Sequence, residues 1–312
     1  MNRRLFLVLN PRSGRASVKR RITDIIEVFG AEEYEVTVHV TRHKGDAADR
    51  IRERGMNFDL IVCCGGDGTV KESFEALSFM PNAPPLGIIP TGTTNDYANS
   101  LSMPNDPVEA ARTICNGTPF DCDCGMLGGQ VFAFAAAFGI FTDITYETPQ
   151  ANKNQLGRAA YILEAIKNLP SYSPYHITAD CEQGRFEGEY ILGMVTNTIS
   201  IGGFKNIFLP VAKLNDGLLE LTLLKAPKTL ADYQQIANIL LGMERVGAVP
   251  SDMLTVVSTD RVHIKSSDSI SWTLDGEEGG AYDETIVEAL PCAVSVITAE
   301  GGVQSAEQPT KT

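Results

Sequence analysis

Leu60-Ile61-Val62-Cys63-Cys64-Gly65-Gly66-Asp67-Gly68-Thr69 is the stretch that decides the fold. Five apolar residues in a row read as a strand buried on both faces. The glycines that end it let backbone N–H groups approach an anion that a Cβ would hold off. Residues 70–78 are helix-like and add the partial positive charge of a helix N-terminus. In isolation such a turn is either a phosphate cradle or a tight connection. Its neighbours bear on the choice.

Outward from this stretch, strands and helices alternate. Arg4-Leu5-Phe6-Leu7-Val8-Leu9 is a second continuous apolar run, and residues 16–29 place Val18, Ile22, Ile25, Ile26 and Phe29 at helical spacing. Residues 34–40 alternate, with Val36, Val38 and Val40 on one face, and residues 47–54 read as a helix. Leu86-Gly87-Ile88-Ile89-Pro90 is a fourth strand, and residues 108–115 form a short helix before Gly117. The order predicts an α/β domain with a doubly wound, mostly parallel sheet. Ligands in such sheets bind outside the carboxyl ends of the strands. All four strands here end in polar or glycine-bearing loops, at residues 10–14, 41–46, 65–69 and 91–96. Four such loops on one edge favour a nucleotide site over a chance turn.

Beyond residue 120 the texture changes. Residues 132–141 are apolar and small, and residues 154–169 have helical spacing. Short strand-like runs follow at 175–181, 190–196, 218–224, 262–266, 270–274 and 292–298, interrupted by one helix at 230–244. Turn signals separate them, among them Gln183-Gly184, Asn215-Asp216-Gly217 and Asp275-Gly276. The pattern predicts an antiparallel β-sandwich carrying one or two helices. The expected division is a nucleotide-binding domain over 1–125, a β-sandwich domain over 126–300 and a disordered polar tail over 301–312. No internal repeat is visible.

Composition narrows the function. A formal net charge of -13 over 312 residues argues against a nucleic-acid binder. It also confines any membrane contact to a local apolar or basic surface. The one basic cluster, Arg12, Arg15, Lys19, Arg20 and Arg21, faces either phosphates and lipid headgroups or solvent. Seven cysteines without CxxC spacing read as reduced thiols of a cytoplasmic protein. The N-terminal apolar run is too short for a signal peptide, and no run is long enough to span a membrane. None of the four histidines lies in a zinc or triad pattern, although His43 follows the second strand and is placed to face a nucleotide.

Several side chains carry candidate chemistry. Asn10 and Ser13 can cap the first helix, and Gly14 allows close backbone approach. Asp67 is a carboxylate among amides aimed at phosphate. A hard cation such as Mg²⁺ bridging the phosphates would account for it. Glu72, one turn further on, either caps free amides or holds a ribose. Thr91-Gly92-Thr93-Thr94-Asn95-Asp96 offers hydroxyls and amides, with Asp96 either a second acid near the metal or a helix cap. Asp275-Gly276-Glu277-Glu278-Gly279-Gly280 is richer in charge than a hairpin needs, and a carboxylate there would accept a proton from an acceptor hydroxyl.

With these motifs assembled, the chain resembles the soluble bacterial diacylglycerol kinases. These share a superfamily with sphingosine kinases, ceramide kinases and, more distantly, NAD kinases. The resemblance runs through Asn10-Pro11-x-Ser13-Gly14, Gly65-Gly66-Asp67-Gly68-Thr69 with Glu72, and Pro90-x-Gly92-Thr93-x-Asn95-Asp96. It continues in Tyr146-Glu147-Thr148-Pro149, Lys213-Leu214-x-Asp216-Gly217 and Asp275-Gly276-Glu277-x-Gly279-Gly280. It implies ATP held at Asn10, Pro11, Arg12, Ser13, Gly14, Thr41, Gly66, Asp67, Gly68, Thr69, Val70, Lys71, Glu72 and Thr93. It also implies Glu277 as general base, with Asp275 of the same motif, Asp67 and Asp96 as further catalytic residues, the last two near a catalytic Mg²⁺. A structural Mg²⁺ is implied at the carbonyl of Lys213, Asp216 and the carbonyl of Leu218. The implied activity is transfer of the ATP γ-phosphoryl to diacylglycerol at the membrane surface, by a cytoplasmic enzyme that forms a homodimer. Rival readings are a kinase of another lipid alcohol (a sphingoid base, phosphatidylglycerol or an isoprenoid alcohol) and a catalytically silent nucleotide or lipid sensor. Two departures from the pattern stand out. Val70-Lys71-Glu72 replaces Leu/Ile-Asn-Glu, putting at Lys71 an ammonium able to pair with phosphate or headgroup. Glu164 stands where relatives carry a basic residue, which bears on contact with anionic membrane.

Overall fold

A computed structural model describes residues 3–14, 17–140, 166–198, 200–201, 204–205, 213–241 and 252–299. Tyr146-Glu147-Thr148-Pro149, Glu164, Arg15, most of the helix expected at 154–169 and the tail after residue 300 lie outside the described residues, as does the side chain of Lys19.

The first half consists of β1 (Arg3–Leu9), α1 (Ser17–Ala31), β2 (Tyr34–Val40), α2 (Asp46–Arg54), β3 (Leu60–Gly65), α3 (Asp67–Leu77), β4 (Leu86–Pro90), α4 (Asp96–Ser100) and α5 (Pro107–Asn116). The four strands lie parallel in the order β2-β1-β3-β4. β3 and β4 are buried along their whole length, as their unbroken apolar sequences require. Right-handed crossovers put α1 on one face and α2 and α3 on the other. The packing agrees: α1 lies against α5, and α2 against α3. Strand order reverses at β1, so the crevice outside the carboxyl ends of β1 and β3 is the topological switch point.

The second half follows as β5 (Thr118–Leu127), β6 (Gln130–Phe132), β7 (Ala135–Gly139), β8 (Tyr175–Cys181), β9 (Gly184–Thr196), β10 (Ser200–Ile201), β11 (Phe204–Lys205), β12 (Leu219–Lys225), α6 (Leu230–Leu240), β13 (Leu254–Thr259), β14 (Arg261–Leu274) and β15 (Glu277–Thr298). Its ladders are antiparallel, as expected. The two runs expected at 262–266 and 270–274 are one strand, β14. Its pairing with β15 shifts register between Lys265 and Ile270, where Ser266, Ser267 and Asp268 interrupt the apolar pattern. β15 starts fifteen residues before the run expected at 292–298, because its first part is polar on its outer face. It also joins the two halves: Val296 pairs in parallel with Leu86 of β4, so one sheet runs through both.

Two cores flank the antiparallel strands. One contains Phe138, Tyr190, Leu221, Leu223, Ile264 and Trp272; the other lies under α6, with Ile191, Leu224, Ile236 and Leu240. α6 begins at a reciprocal cap in which Asp232 N–H donates to Thr229 Oγ1 and Thr229 N–H to Asp232 Oδ2. Trp272 and Phe138 meet edge to face with ring centroids 4.8 Å apart, both fully buried. Phe138→Ala is expected to cost about 3–5 kcal/mol, read from a urea titration followed by the emission of Trp272, the chain's one tryptophan.

Candidate active site

Backbone contact brings the loops after β1, β3 and β4 together. Asn10 N–H donates to the Cys64 carbonyl at 2.9 Å, and Thr91 N–H to the Gly65 carbonyl at 2.8 Å, each prolonging a strand pairing into the loops. Gly14, at φ +59°, lies so close to the next loop that a Cβ there would fall 1.6 Å from the Thr91 carbonyl oxygen. Gly66 and Gly92 face each other the same way; a Cβ on Gly92 would come within 2.6 Å of the Gly66 Cα. Side chains complete the join. Asn10 Nδ2 donates to Thr69 Oγ1 at 3.0 Å, Asn10 Oδ1 accepts from Arg12 N–H, and Ser13 Oγ shares a 2.6 Å hydrogen bond with Thr91 Oγ1. Asn10 and Ser13 are therefore brace residues of the turn as well as candidate ligand contacts. Pro11, Gly68 and Thr93 remain at the rim.

Asp67 is the N-terminal residue of α3, and it reaches across to α4. Its Oδ2 accepts from Asn95 N–H at 2.9 Å, with Asn95 itself left-handed at φ 51°. Asn95 closes its own loop, accepting from Gly92 N–H and donating to the Gly92 carbonyl. Burial pushes the Asp67 carboxyl up, and the backbone amides of Tyr97, Asn95 and Asp96 pull it down. Its other oxygen, Oδ1, is shielded from solvent and has no hydrogen-bond partner among the described residues. A buried carboxylate oxygen without a donor has the chemistry of a cation ligand. Asp96, buried, opens α4 next to it.

Glu72 caps amides. Its two oxygens accept from Gly45 N–H at 2.8 Å and Ala47 N–H at 3.1 Å, holding the loop after β2 and the first turn of α2. Thr41, anchored by its N–H to the Leu9 carbonyl, lies on that loop beside β1. Val70 and Thr69 are buried in α3 behind the turn.

The Asp275-Gly276 turn, at φ 53° and 80°, is the left-handed pair a two-residue hairpin requires. It makes Glu277 the first residue of β15, directly across from Leu274. Asp275, expected among the catalytic residues, anchors the turn. Its oxygens accept from the backbone amides of Ala133, Phe134 and Ala135 at 2.7–3.0 Å, which ties the hairpin to the start of β7. Burial raises its carboxyl to about 6, against the pull of the three amides and of Lys71. Glu277 leans over the glycine turn: a Cβ on Gly68 would lie 3.8 Å from Glu277 Oε1. Its Oε2 is paired with Lys71 Nζ at 3.2 Å and Lys44 Nζ at 3.3 Å. Lys71 is thus turned to the acid of the second half, where the sequence had pointed it to phosphate or headgroup.

The segment around Lys213, Asp216 and Leu218 is not part of this cluster. It is fixed by Asp123, a fully buried residue between Cys122 and Cys124. Asp123 accepts from Gly217 N–H and Cys292 N–H and donates its own N–H to the Leu214 carbonyl. Asp216 is exposed and accepts from Leu218 N–H. Among the described residues no three His, Cys, Asp or Glu side chains converge as a metal site. A cation at 213–218 would rest on one carboxylate and two carbonyls.

Residues 4–127 match the diacylglycerol kinase catalytic domain, and residues 141–298 match the YegS C-terminal NAD kinase beta sandwich-like domain. The chain belongs to the diacylglycerol kinase family. It is 36% identical over 280 residues to the diacylglycerol kinase of Bacillus subtilis, covering 89% of this chain and 91% of that one. It is 30% identical over 281 residues to the enzyme of that name from Staphylococcus saprophyticus, covering 90% of each. A crystal structure of a diacylglycerol kinase from Bacillus anthracis superposes with a TM-score of 0.77 over 96% of this chain and 98% of that chain, at 23% identity. At that identity the likeness is one of fold, and it agrees with an α/β domain joined to a β-sandwich domain. No helix among the described residues is long and apolar enough to cross a membrane.

Asp275→Ala is expected to lower stability by about 3 kcal/mol or more, because three buried N–H groups lose their acceptor. Denaturant titration measures this, and the kinase rate should fall with it as Glu277 loses its support.

Proposed function

We propose that this protein transfers the γ-phosphoryl group of ATP to the free hydroxyl of diacylglycerol, giving phosphatidate and ADP. The observation that carries the reading is the position of Glu277 Oε1 over Gly68, opposite the amides of the glycine turn. An acceptor hydroxyl between them would give its proton to Glu277 as its oxygen bonds the γ-phosphorus. The bond from that phosphorus to the β–γ bridging oxygen breaks as ADP leaves. At the start of α3 the Thr69 and Val70 amides donate to the Gly66 carbonyl, and the Gly68 amide together with the positive end of the helix suits the phosphates. The loops at 10–14, 41–46 and 91–96 would hold the rest of the nucleotide.

The residues present fit a divalent cation. Asp67, with its orphaned oxygen, and Asp96 would hold a catalytic Mg²⁺, which when bound neutralises charge on the transferring group. The carbonyls of Lys213 and Leu218 with Asp216 would hold a second, structural Mg²⁺, on a turn that Asp123 already stiffens. A cavity of about 410 Å³ opens beside Lys71, with Ala76, Phe79, Met80 and Val131 among its walls. It offers apolar surface next to the residue that touches the base. The same reading implies peripheral contact with the membrane that holds the acceptor and, by resemblance, a homodimer. It divides the chain into a nucleotide domain over 1–125, a β-sandwich domain over 126–300 and a tail over 301–312.

Radiolabelled ATP offered with micellar diacylglycerol, sphingoid base, phosphatidylglycerol or isoprenoid alcohol, with and without Mg²⁺, tests the reading. Label is expected in phosphatidate, dependent on Mg²⁺. Glu277→Gln is expected to lower kcat by about a hundred- to ten-thousand-fold with ATP binding retained; near-normal turnover would remove Glu277 as the base.

A further inference from the structure

We propose that Lys71 is the positioning residue for the catalytic carboxylate: its buried ammonium ties both ends of the Asp275-Gly276 turn, pinning Glu277 Oε2 so that Oε1 faces the phosphate turn. The inference rests on the reading of Glu277 as the base. Lys71 Nζ donates to the Leu274 carbonyl at 3.2 Å and to Glu277 Oε2 at 3.2 Å. Leu274 and Glu277 are the register pair that closes the hairpin, so one cation spans the neck of the turn from α3. α3 is the helix that carries Gly68 and the phosphate-facing amides. The base of one half is therefore indexed directly to the phosphate turn of the other.

Lys44 also reaches Oε2, but its side chain is 74% exposed, whereas that of Lys71 is 10% exposed. An exposed pair is screened and flexible, while a buried one resists displacement. Asp275 completes the local charge set, and Lys71 is the cation that acts on it from α3. Asparagine, usual at this position in the pattern the chain resembles, is too short to span the same distance as a full cation.

The test compares Lys71→Met, Lys71→Arg and Glu277→Gln in the full chain, with ATP, Mg²⁺ and micellar diacylglycerol. Lys71→Met is expected to lower kcat by about ten- to a hundred-fold with KM for ATP within about threefold of wild type, the signature of a misaimed base rather than a lost nucleotide site. Lys71→Arg, which keeps the cation, is expected to recover most of that loss. If Lys71→Met does not fold, Lys71→Gln, which keeps a donor for the Leu274 carbonyl without the charge, is expected to show the same kcat loss. Wild-type kcat in Lys71→Met beside an inactive Glu277→Gln overturns the positioning role and leaves the base in place. Equal losses in the Met and Arg variants together with ATP affinity reduce Lys71 to a structural residue and also overturn it. Full activity in Glu277→Gln removes the base and the positioning role with it.

Discussion

The pairing of β15 with β4 is the constraint on which the site depends. A phosphoryl transfer needs a base and a phosphate cradle held in fixed relation, and the two groups proposed for them, Glu277 and the glycine turn, lie on different halves of the chain. β15 begins at Glu277 and ends beside the nucleotide sheet, with Val296 on Leu86 and its outer edge taken by β5. Because one sheet runs through both halves, Glu277 is held relative to the glycine turn by backbone hydrogen bonds as well as side-chain contacts. A hinge between two separate sheets would let that relation drift, and displacement of about an ångström at a reacting centre costs orders of magnitude in rate.

Within that frame the phosphate edge is assembled by exclusion of side chains. Gly14 against Thr91, and Gly66 against Gly92, bring three loops into backbone contact that no Cβ would permit. Asp67 then bridges α3 and α4 through the Asn95 amide, and Glu72 bridges α3 to the loop before α2. α3 is accordingly the hub: its first residue holds the loop after β4, its sixth holds the loop after β2, and Lys71 between them holds the hairpin.

The first half was legible because β1, β3 and β4 are buried on both faces and carry unbroken apolar runs, while the edge strand β2 alternates. Their ends fall where glycine, asparagine and proline begin, so the loops at 10–14, 65–69 and 91–96 were found together with their positions on one edge. The second half was less so. β14 continues through Ser266, Ser267 and Asp268, and β15 through Glu277, Glu278, Asp283 and Glu284, since a backbone ladder needs no apolar side chain on a solvent face. The site shows the same division. Asp67, Glu72 and Glu277 announced themselves as acids in or near glycine turns. Asp123 and the partner of Lys71 did not, because the groups they meet are distant in sequence: Lys71 and Glu277 are 206 residues apart. Asp275 looked catalytic by its place in a charged glycine loop, yet its oxygens are taken by amides 140–142 residues away.

That last contact and the lysine contact act on the same turn from opposite sides. A carboxylate buried next to a second carboxylate would by itself oppose folding, since each desolvated charge costs several kcal/mol without a partner. Here Asp275 is met by three amides, Glu277 by two ammonium groups, and Lys71 faces both acids. The charges balance two against two in a chain whose formal charge is -13. Cations are scarce in this protein, and two of them converge on one glutamate. The balance permits the left-handed Asp-Gly turn to sit within the fold. It also leaves one oxygen of Glu277 aimed at the glycine turn while the other is held.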